Sequence, residues 1–108
     1  MTVKELCEVC SLEAINLPDP EREVNGVYIG DLLSWVMGKA GYDNAWITIM
    51  SNVNVIAVAT LTDVSCIILA EGVKLESDVL ETAKQKEINV LSSPAPAYET
   101  AQRLFGKV

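Results

Sequence analysis

Apolar residues recur every three or four positions at the start of the chain, which is the spacing of a helix with one buried face. Thr2 and Glu5, at the start of this pattern, have capping-box spacing, in which each side chain satisfies a free backbone N–H at a helix start. We therefore predict a helix that begins at once, with Lys4, Glu5 and Glu8 facing solvent. Its core stripe comprises Val3, Leu6, Cys7 and Cys10.

Short runs rich in β-branched and aromatic residues predict five strands. The clearest is residues 45–50, which reads AWITIM. The full set is Glu13–Asn16, Val27–Ile29, 45–50, 64–70 and 88–91.

Helical segments separate these strands. Asp31 is expected to cap an apolar helix over residues 32–40, and Ser77 to cap an amphipathic helix over residues 77–87. Residues 51–63 are ambiguous, because their valines and isoleucine suit a strand whereas their length and alanines suit a buried helix.

The segment of residues 92–105 predicts a final helix, with Ser93 as its cap and Pro94 at its first position. Its inward-facing residues are predicted to be Tyr98, Ala101, Leu104 and Phe105.

This alternation of strands and helices predicts an α/β domain with a largely parallel sheet of about five strands, covered on both faces. The 108 residues, half of them hydrophobic, suffice for one domain over residues 1–108.

The charge balance excludes some classes of partner. Eight Lys and Arg against fifteen Asp and Glu give a net charge of −7, which disfavours nucleic acid and anionic membrane surfaces. The apolar runs fall short of the roughly 20 residues of a spanning helix. With three cysteines and no export signal, we expect a cytoplasmic protein with free thiols.

The C-x-x-C spacing of Cys7 and Cys10 raises the alternative of a metal or redox site. A structural zinc site normally has four ligands, yet the chain has no histidine and only one other cysteine, Cys66. A redox pair needs an electropositive surrounding, and Glu8 lies between the two cysteines. We therefore interpret the cysteines as buried structural residues without metal.

Catalytic signatures are missing as well. The absence of histidine removes Ser–His and Cys–His nucleophile pairs. A P-loop requires Ser or Thr after Gly-Lys, but Ala40 follows Gly38 and Lys39. We expect no enzyme activity, no catalytic residue and no cofactor.

Three segments carry a resemblance to a known family: REVNGVYIGDLLSWV, then AWITIMSNVNVIAVATLTDVSCIILAEG, then INVLSSPAPAYETAQRL. In this order they resemble the DRTGG domain, a relative of the N-terminal domain of HPr kinase/phosphorylase. The resemblance implies a three-layer α/β fold and a helix at NVNVIAVATL. It also implies an accessory role, because DRTGG domains accompany modules such as CBS pairs in regulated pyrophosphatases.

One polar cluster predicts a ligand site. If a helix follows the strand of residues 45–50, its start and the strand's carboxyl end gather four side chains: Thr48, Ser51, Asn52 and Asn54. Small anions or nucleotides bind at this position in open α/β sheets. The alternative is that Ser51 or Asn52 caps the helix and Asn54 faces water.

Two function hypotheses follow. The first is a non-catalytic regulatory module that acts through homodimerisation or a partner protein, and the second is a sensor of a nucleotide or other anion at the helix start near Ser51. A small domain this rich in apolar residues favours a homodimer, with Trp35 and Met37 near the contact. In the alternative, Trp35 belongs to the monomer core.

Overall fold

The computed structural model describes residues 1–108 and contains five helices and five strands. None of these helices is long and apolar enough to span a membrane. In chain order the elements are α1 (Val3–Val9), β1 (Glu13–Asn16), β2 (Val27–Ile29), α2 (Leu33–Lys39), β3 (Ala45–Thr48), α3 (Val53–Thr62), β4 (Cys66–Leu69), α4 (Ser77–Gln85), β5 (Val90–Ser92) and α5 (Ala97–Leu104).

The five strands form one mixed sheet in the order β1-β5-β4-β3-β2. Strands β2 to β5 are parallel, and β1 pairs with β5 in the antiparallel sense. Helices α2, α3 and α4 pack in the hydrophobic cluster on one face, whereas α1 and α5 pack in the cluster on the other. The predicted α/β fold with a largely parallel, doubly covered sheet is confirmed.

The first helix follows its sequence signature closely. The Thr2 hydroxyl accepts the Glu5 N–H, and the Glu5 carboxylate accepts the Thr2 N–H, so the capping box is complete. Val3 and Leu6 are fully buried. Bounds of β1 and β2 also match the prediction.

The ambiguous segment is a helix, as the family resemblance implied. Its buried residues spread around much of the helix because α3 lies between α2, α4 and the sheet. They are Val55, Ile56, Val58 and Ala59.

Two predicted helix caps are wrong. Leu32 occupies the N-cap position of α2 and Asp31 does not cap it, because the Asp31 carboxylate instead accepts hydrogen bonds from Thr48 and Ile49 at the end of β3. Glu76 is the N-cap residue of α4, which makes Ser77 the first helical residue. Neither helix has a side-chain cap hydrogen bond.

The last helix also differs from its prediction. It begins at Ala97 after Pro96, so Ser93 is not its cap and Pro94 lies outside it. The Ser93 hydroxyl instead hydrogen-bonds the buried Thr100 hydroxyl at 2.8 Å. Since Thr100 and Leu104 define the buried face, Tyr98 and Phe105 point outward rather than inward.

Candidate functional site

The predicted ligand cluster lies where β3 ends and α3 begins. Thr48 is the last residue of β3 and is buried. Its hydroxyl donates to the Asp31 carboxylate at 2.8 Å and accepts the Met50 N–H at 3.1 Å. Because the hydroxyl already has a donor and an acceptor within the chain, Thr48 holds the backbone rather than facing a ligand.

The remaining members of the cluster are at the start of α3. Asn52 is the N-cap residue, and its side-chain oxygen accepts the Asn54 N–H at 2.9 Å. Ser51 is half-buried, and the side chains of Asn52 and Asn54 are exposed. The structure therefore brings the four residues together at the carboxyl end of β3. Asn52 caps the helix and Asn54 faces water, which was the alternative interpretation of this cluster.

No cavity of the structure includes this cluster. Parallel strands β2 to β5 succeed one another across the sheet without a reversal of order. The crevice that binds ligands in open α/β sheets forms where strand order reverses. What the α3 start offers a ligand is an exposed helix terminus with two carboxamides.

A polar cavity of about 240 Å³ lies at the opposite end of the strands, next to the residues that precede β4 and β5. No sequence motif indicated this cavity, because its lining residues come from three separate segments of the chain. Among the eleven lining residues are Asp19, Arg22, Asp63, Ser65, Lys86 and Asn89.

Arg22 organises the wall of this cavity. Its guanidinium donates to the Asp43 carboxylate at 2.8 Å and to the Asp63 carboxylate at 2.9 Å, and it also donates to the Asp63 carbonyl at 2.7 Å. Burial lowers the pKa of Arg22, but its hydrogen bonds to the two carboxylates and their negative charges outweigh this effect and raise the pKa overall. Arg22 is thus already paired within the chain, and the arrangement joins three loops.

Asn89 and Ser65 are likewise used by the fold. The Asn89 carboxamide accepts the Asp19 N–H and donates to the carbonyls of Asp19 and Ser65. The Ser65 hydroxyl lies within hydrogen-bonding distance of the carbonyls of Glu23 and Asp43. No buried polar side-chain atom lacks a partner, so none is left aimed into the cavity.

The three thiols are free and do not converge on a metal site. Cys10 and Cys66 are buried as predicted, but Cys7 is only half-buried, so the prediction of full burial is wrong for Cys7. Burial raises the pKa of each thiol, and the neighbouring Glu8 raises that of Cys7 further. The structure has no group of three His, Cys, Asp or Glu residues that could hold a metal ion.

Apolar side chains remain exposed on α2 and just before it. Trp35 is 60% exposed and Leu32 is 62% exposed, so Trp35 lies outside the monomer core. Met37 is also exposed. The Lys39 ammonium lies 5.2 Å from the centre of the Trp35 ring, within the range of a cation–π interaction.

Comparisons with known proteins agree on the architecture. A model of the DRTGG domain matches residues 6–106. No curated protein matches the chain at a significant level. Among solved structures, the chain is similar to the CBS and DRTGG domains of the regulatory region of Clostridium perfringens pyrophosphatase, crystallised with the activator diadenosine tetraphosphate. The TM-score is 0.74 at 16% identity, and the match covers 95% of this chain but only 45% of that one.

Proposed function

This chain belongs to the DRTGG domain family, and from that membership we propose that it is a non-catalytic regulatory module acting through homodimerisation or a partner protein. The structural neighbour places a domain of this fold in the regulatory region of a pyrophosphatase. We extend the proposal to a kinship with the N-terminal domain of HPr kinase/phosphorylase, and to a cytoplasmic protein with one domain and no cofactor.

The observation that carries this proposal is the exposed apolar surface of Leu32, Trp35 and Met37. Aromatic residues and methionine are enriched in the cores of protein interfaces. Contact with another subunit removes this surface from water, and closed two-fold symmetry is the commonest way to do so. We therefore place a dimer contact on α2, with Trp35 and Met37 near the contact.

Sedimentation at micromolar concentration tests this contact. The expected result is an assembly larger than 11.7 kDa that loses mass in the Trp35→Glu variant while circular dichroism remains native. Leu61→Glu is the matched control, because Leu61 is 71% exposed but lies on α3. Unchanged mass in Trp35→Glu would place the contact elsewhere, and a wild-type monomer would refute self-association.

A second candidate function is a sensor of a nucleotide or other anion. It is favoured by the neighbouring regulatory region, which was crystallised with a nucleotide activator. In this chain the proposed contact is the start of α3, where Ser51, Asn52 and Asn54 lie beside a helix N-terminus. The net charge of −7 opposes anion binding, which makes this the weaker proposal.

Thermal shift with diadenosine tetraphosphate, ATP and inorganic phosphate tests the sensor. Ligand binding to the folded state raises the melting temperature, and Asn54→Ala is expected to reduce that rise without changing the melting temperature of the free protein. Gln102→Ala removes another exposed carboxamide, on α5, and serves as the control. No shift with any of the three anions, or equal shifts in both variants, would exclude this site.

A further inference from the structure

Strand β2 lies at an open edge of the sheet. On its inner side it hydrogen-bonds β3, and the flanking residues Gly26 and Gly30 extend this ladder. A parallel strand bonds one neighbour through every second residue, so Val27 and Ile29 direct their backbone N–H and carbonyl groups to the outer side. No loop residue hydrogen-bonds to these groups. The outer side of β2 therefore has a row of free backbone donors and acceptors.

The two edges of the sheet differ in how well they exclude another strand. At the β1 edge, Glu13 is exposed and charged, and the register shifts between Ala14 and Asn16. Charges and bulges of this kind hinder strand addition. The β2 edge has neither, because its three residues are uncharged and pair with β3 in regular register. Ile29 is 49% exposed there, so β2 is the edge that admits a further strand.

The sequence around β2 is symmetric in residue type. Residues 26–30 read GVYIG, with a glycine at each end, a β-branched residue inside each glycine and Tyr28 at the centre. An antiparallel partner of the same sequence, centred on Tyr28, places glycine opposite glycine and Val27 opposite Ile29. Cross-strand pairs of β-branched residues and of aromatic residues stabilise sheets. The strand best matched to this edge is therefore β2 of a second copy.

We propose that β2 pairs in the antiparallel sense with β2 of a second copy of this chain, about a two-fold axis at Tyr28. Val27 of each copy lies opposite Ile29 of the other, and each such pair exchanges two backbone hydrogen bonds. The outward donors and acceptors of both strands are then satisfied. The two five-stranded sheets become one continuous sheet across the axis.

This inference rests on the proposed self-association and specifies how the two copies meet. A three-residue strand makes a small contact, so side chains must supply the rest of the interface. Helix α3 contacts both α2 and α4, which makes α2 the outermost helix of its layer at the β2 end. Leu32 and Trp35 are exposed on and just before this helix. A second copy on the β2 edge brings its own α2 toward them.

The first test removes an outward N–H without touching the monomer's own ladder. Proline is tolerated on an edge strand where the N–H faces solvent, so Ile29→Pro should keep native circular dichroism. In the dimer it deletes one hydrogen bond from each Val27–Ile29 pair, and we expect at least about tenfold weaker association by sedimentation. Ile29→Val keeps the N–H and the β-branched side chain and is the matched control, with a change below about twofold.

Comparison with Trp35→Glu separates this inference from the proposed α2 contact. Weakened association in Ile29→Pro supports strand pairing, whether or not Trp35→Glu also dissociates. Association lost only in Trp35→Glu overturns the strand pairing and leaves the proposed function standing. A wild-type monomer overturns both.

The second test reads the register and does not depend on the proline variant. In the proposed pairing the two Tyr28 residues form a non-hydrogen-bonded pair with Cα atoms about 4.5 Å apart, within the range of a disulfide. Tyr28→Cys is expected to give a disulfide-linked dimer with oxidised glutathione, seen on a non-reducing gel. Ile29→Cys is the control, because its two copies lie diagonally at about 7–8 Å, and wild type gives the background of the native thiols. No cross-link in Tyr28→Cys, or equal cross-linking in both variants, would overturn the proposal.

Discussion

The Thr48 hydroxyl donates a 2.8 Å hydrogen bond to the Asp31 carboxylate, across the carboxyl ends of two neighbouring strands. The same carboxylate oxygen accepts the Ile49 N–H at 3.0 Å. Asp31 thus holds the backbone at the point where the chain leaves the sheet after β3. This pair accounts for two differences from the sequence prediction, because Asp31 is drawn away from α2 and β3 ends at Thr48 rather than Met50.

The Thr48 hydroxyl is expected to stabilise the fold. Thr48→Val keeps the shape of the side chain but leaves the Met50 N–H and the Asp31 carboxylate without this partner. We expect the free energy of unfolding to fall by about 1–2 kcal/mol, measured by urea denaturation. Asn54→Ala is the control, since its exposed side chain should change stability by less than about 0.5 kcal/mol. Equal stability of the two variants would contradict this role.

The capping box makes the stability of α1 depend on pH. Hydrogen bonds from the backbone and side chain of Thr2 lower the pKa of Glu5 in the folded protein. A carboxyl group with a lowered folded-state pKa contributes stability above its unfolded pKa, and this contribution disappears as the pH falls through the folded pKa. We expect the melting temperature of wild type to exceed that of Glu5→Ala at pH 7, with the difference shrinking toward pH 3. Glu8→Ala, which removes an exposed glutamate outside the box, is the matched control. A difference between wild type and Glu5→Ala that does not change with pH would contradict this role.

Arg22 is expected to be the main electrostatic link between the loops at the amino ends of the parallel strands. Arg22→Met leaves the partly buried Asp43 carboxylate without its cation, and hydrogen bonds to charged groups contribute about 1.5–3 kcal/mol. We expect a loss of stability of this size in urea denaturation. Arg22→Lys should recover only part of it, because an ammonium cannot reproduce the forked contacts to Asp43 and Asp63. Lys74→Met removes an exposed lysine that forms no ion pair and should be nearly neutral.

Thiol reactivity should follow burial. The thiolate is the reactive form, and burial raises the pKa of all three cysteines. We expect a disulfide reagent at pH 8 to react first with the half-buried Cys7, and with Cys10 and Cys66 only when the protein opens. Cys7→Ser should abolish the first phase, whereas full denaturation should expose three thiols in wild type. Rapid reaction of Cys66 in the native protein would contradict this order.

Local sequence signals predicted most of the fold. The capping box, the short β-branched runs and the amphipathic segment each carry their information within about ten residues. The errors arose where a polar side chain had a choice of partner. Asp31 bonds to β3 and Ser93 to Thr100 rather than capping a helix, and only the three-dimensional structure decides between such partners.

The candidate site was harder to predict. The sequence predicted that Thr48, Ser51, Asn52 and Asn54 lie together, as they do in the structure. It could not show that the Thr48 hydroxyl is already hydrogen-bonded to the Asp31 carboxylate and the Met50 N–H. The cluster of Arg22, Asp43 and Asp63 was missed because its members are about twenty residues apart and none belongs to a recognisable motif. Tyr98 and Phe105 were assigned to the core because spacing alone does not tell a helix's inner face from a second apolar face.

The placement of β1 has a consequence for folding kinetics. Strands β2 to β5 pair with their neighbours in sequence, so each βαβ unit closes a short loop. By contrast, Glu13 pairs with Ser92, and a ribosome must release nearly the whole of this sequence before that pairing is possible. Loop closure becomes more costly in entropy as the loop lengthens. We therefore expect the parallel part of the sheet to form first and the amino-terminal strand to dock last, which leaves the outer edge of β5 transiently open to strands from other molecules.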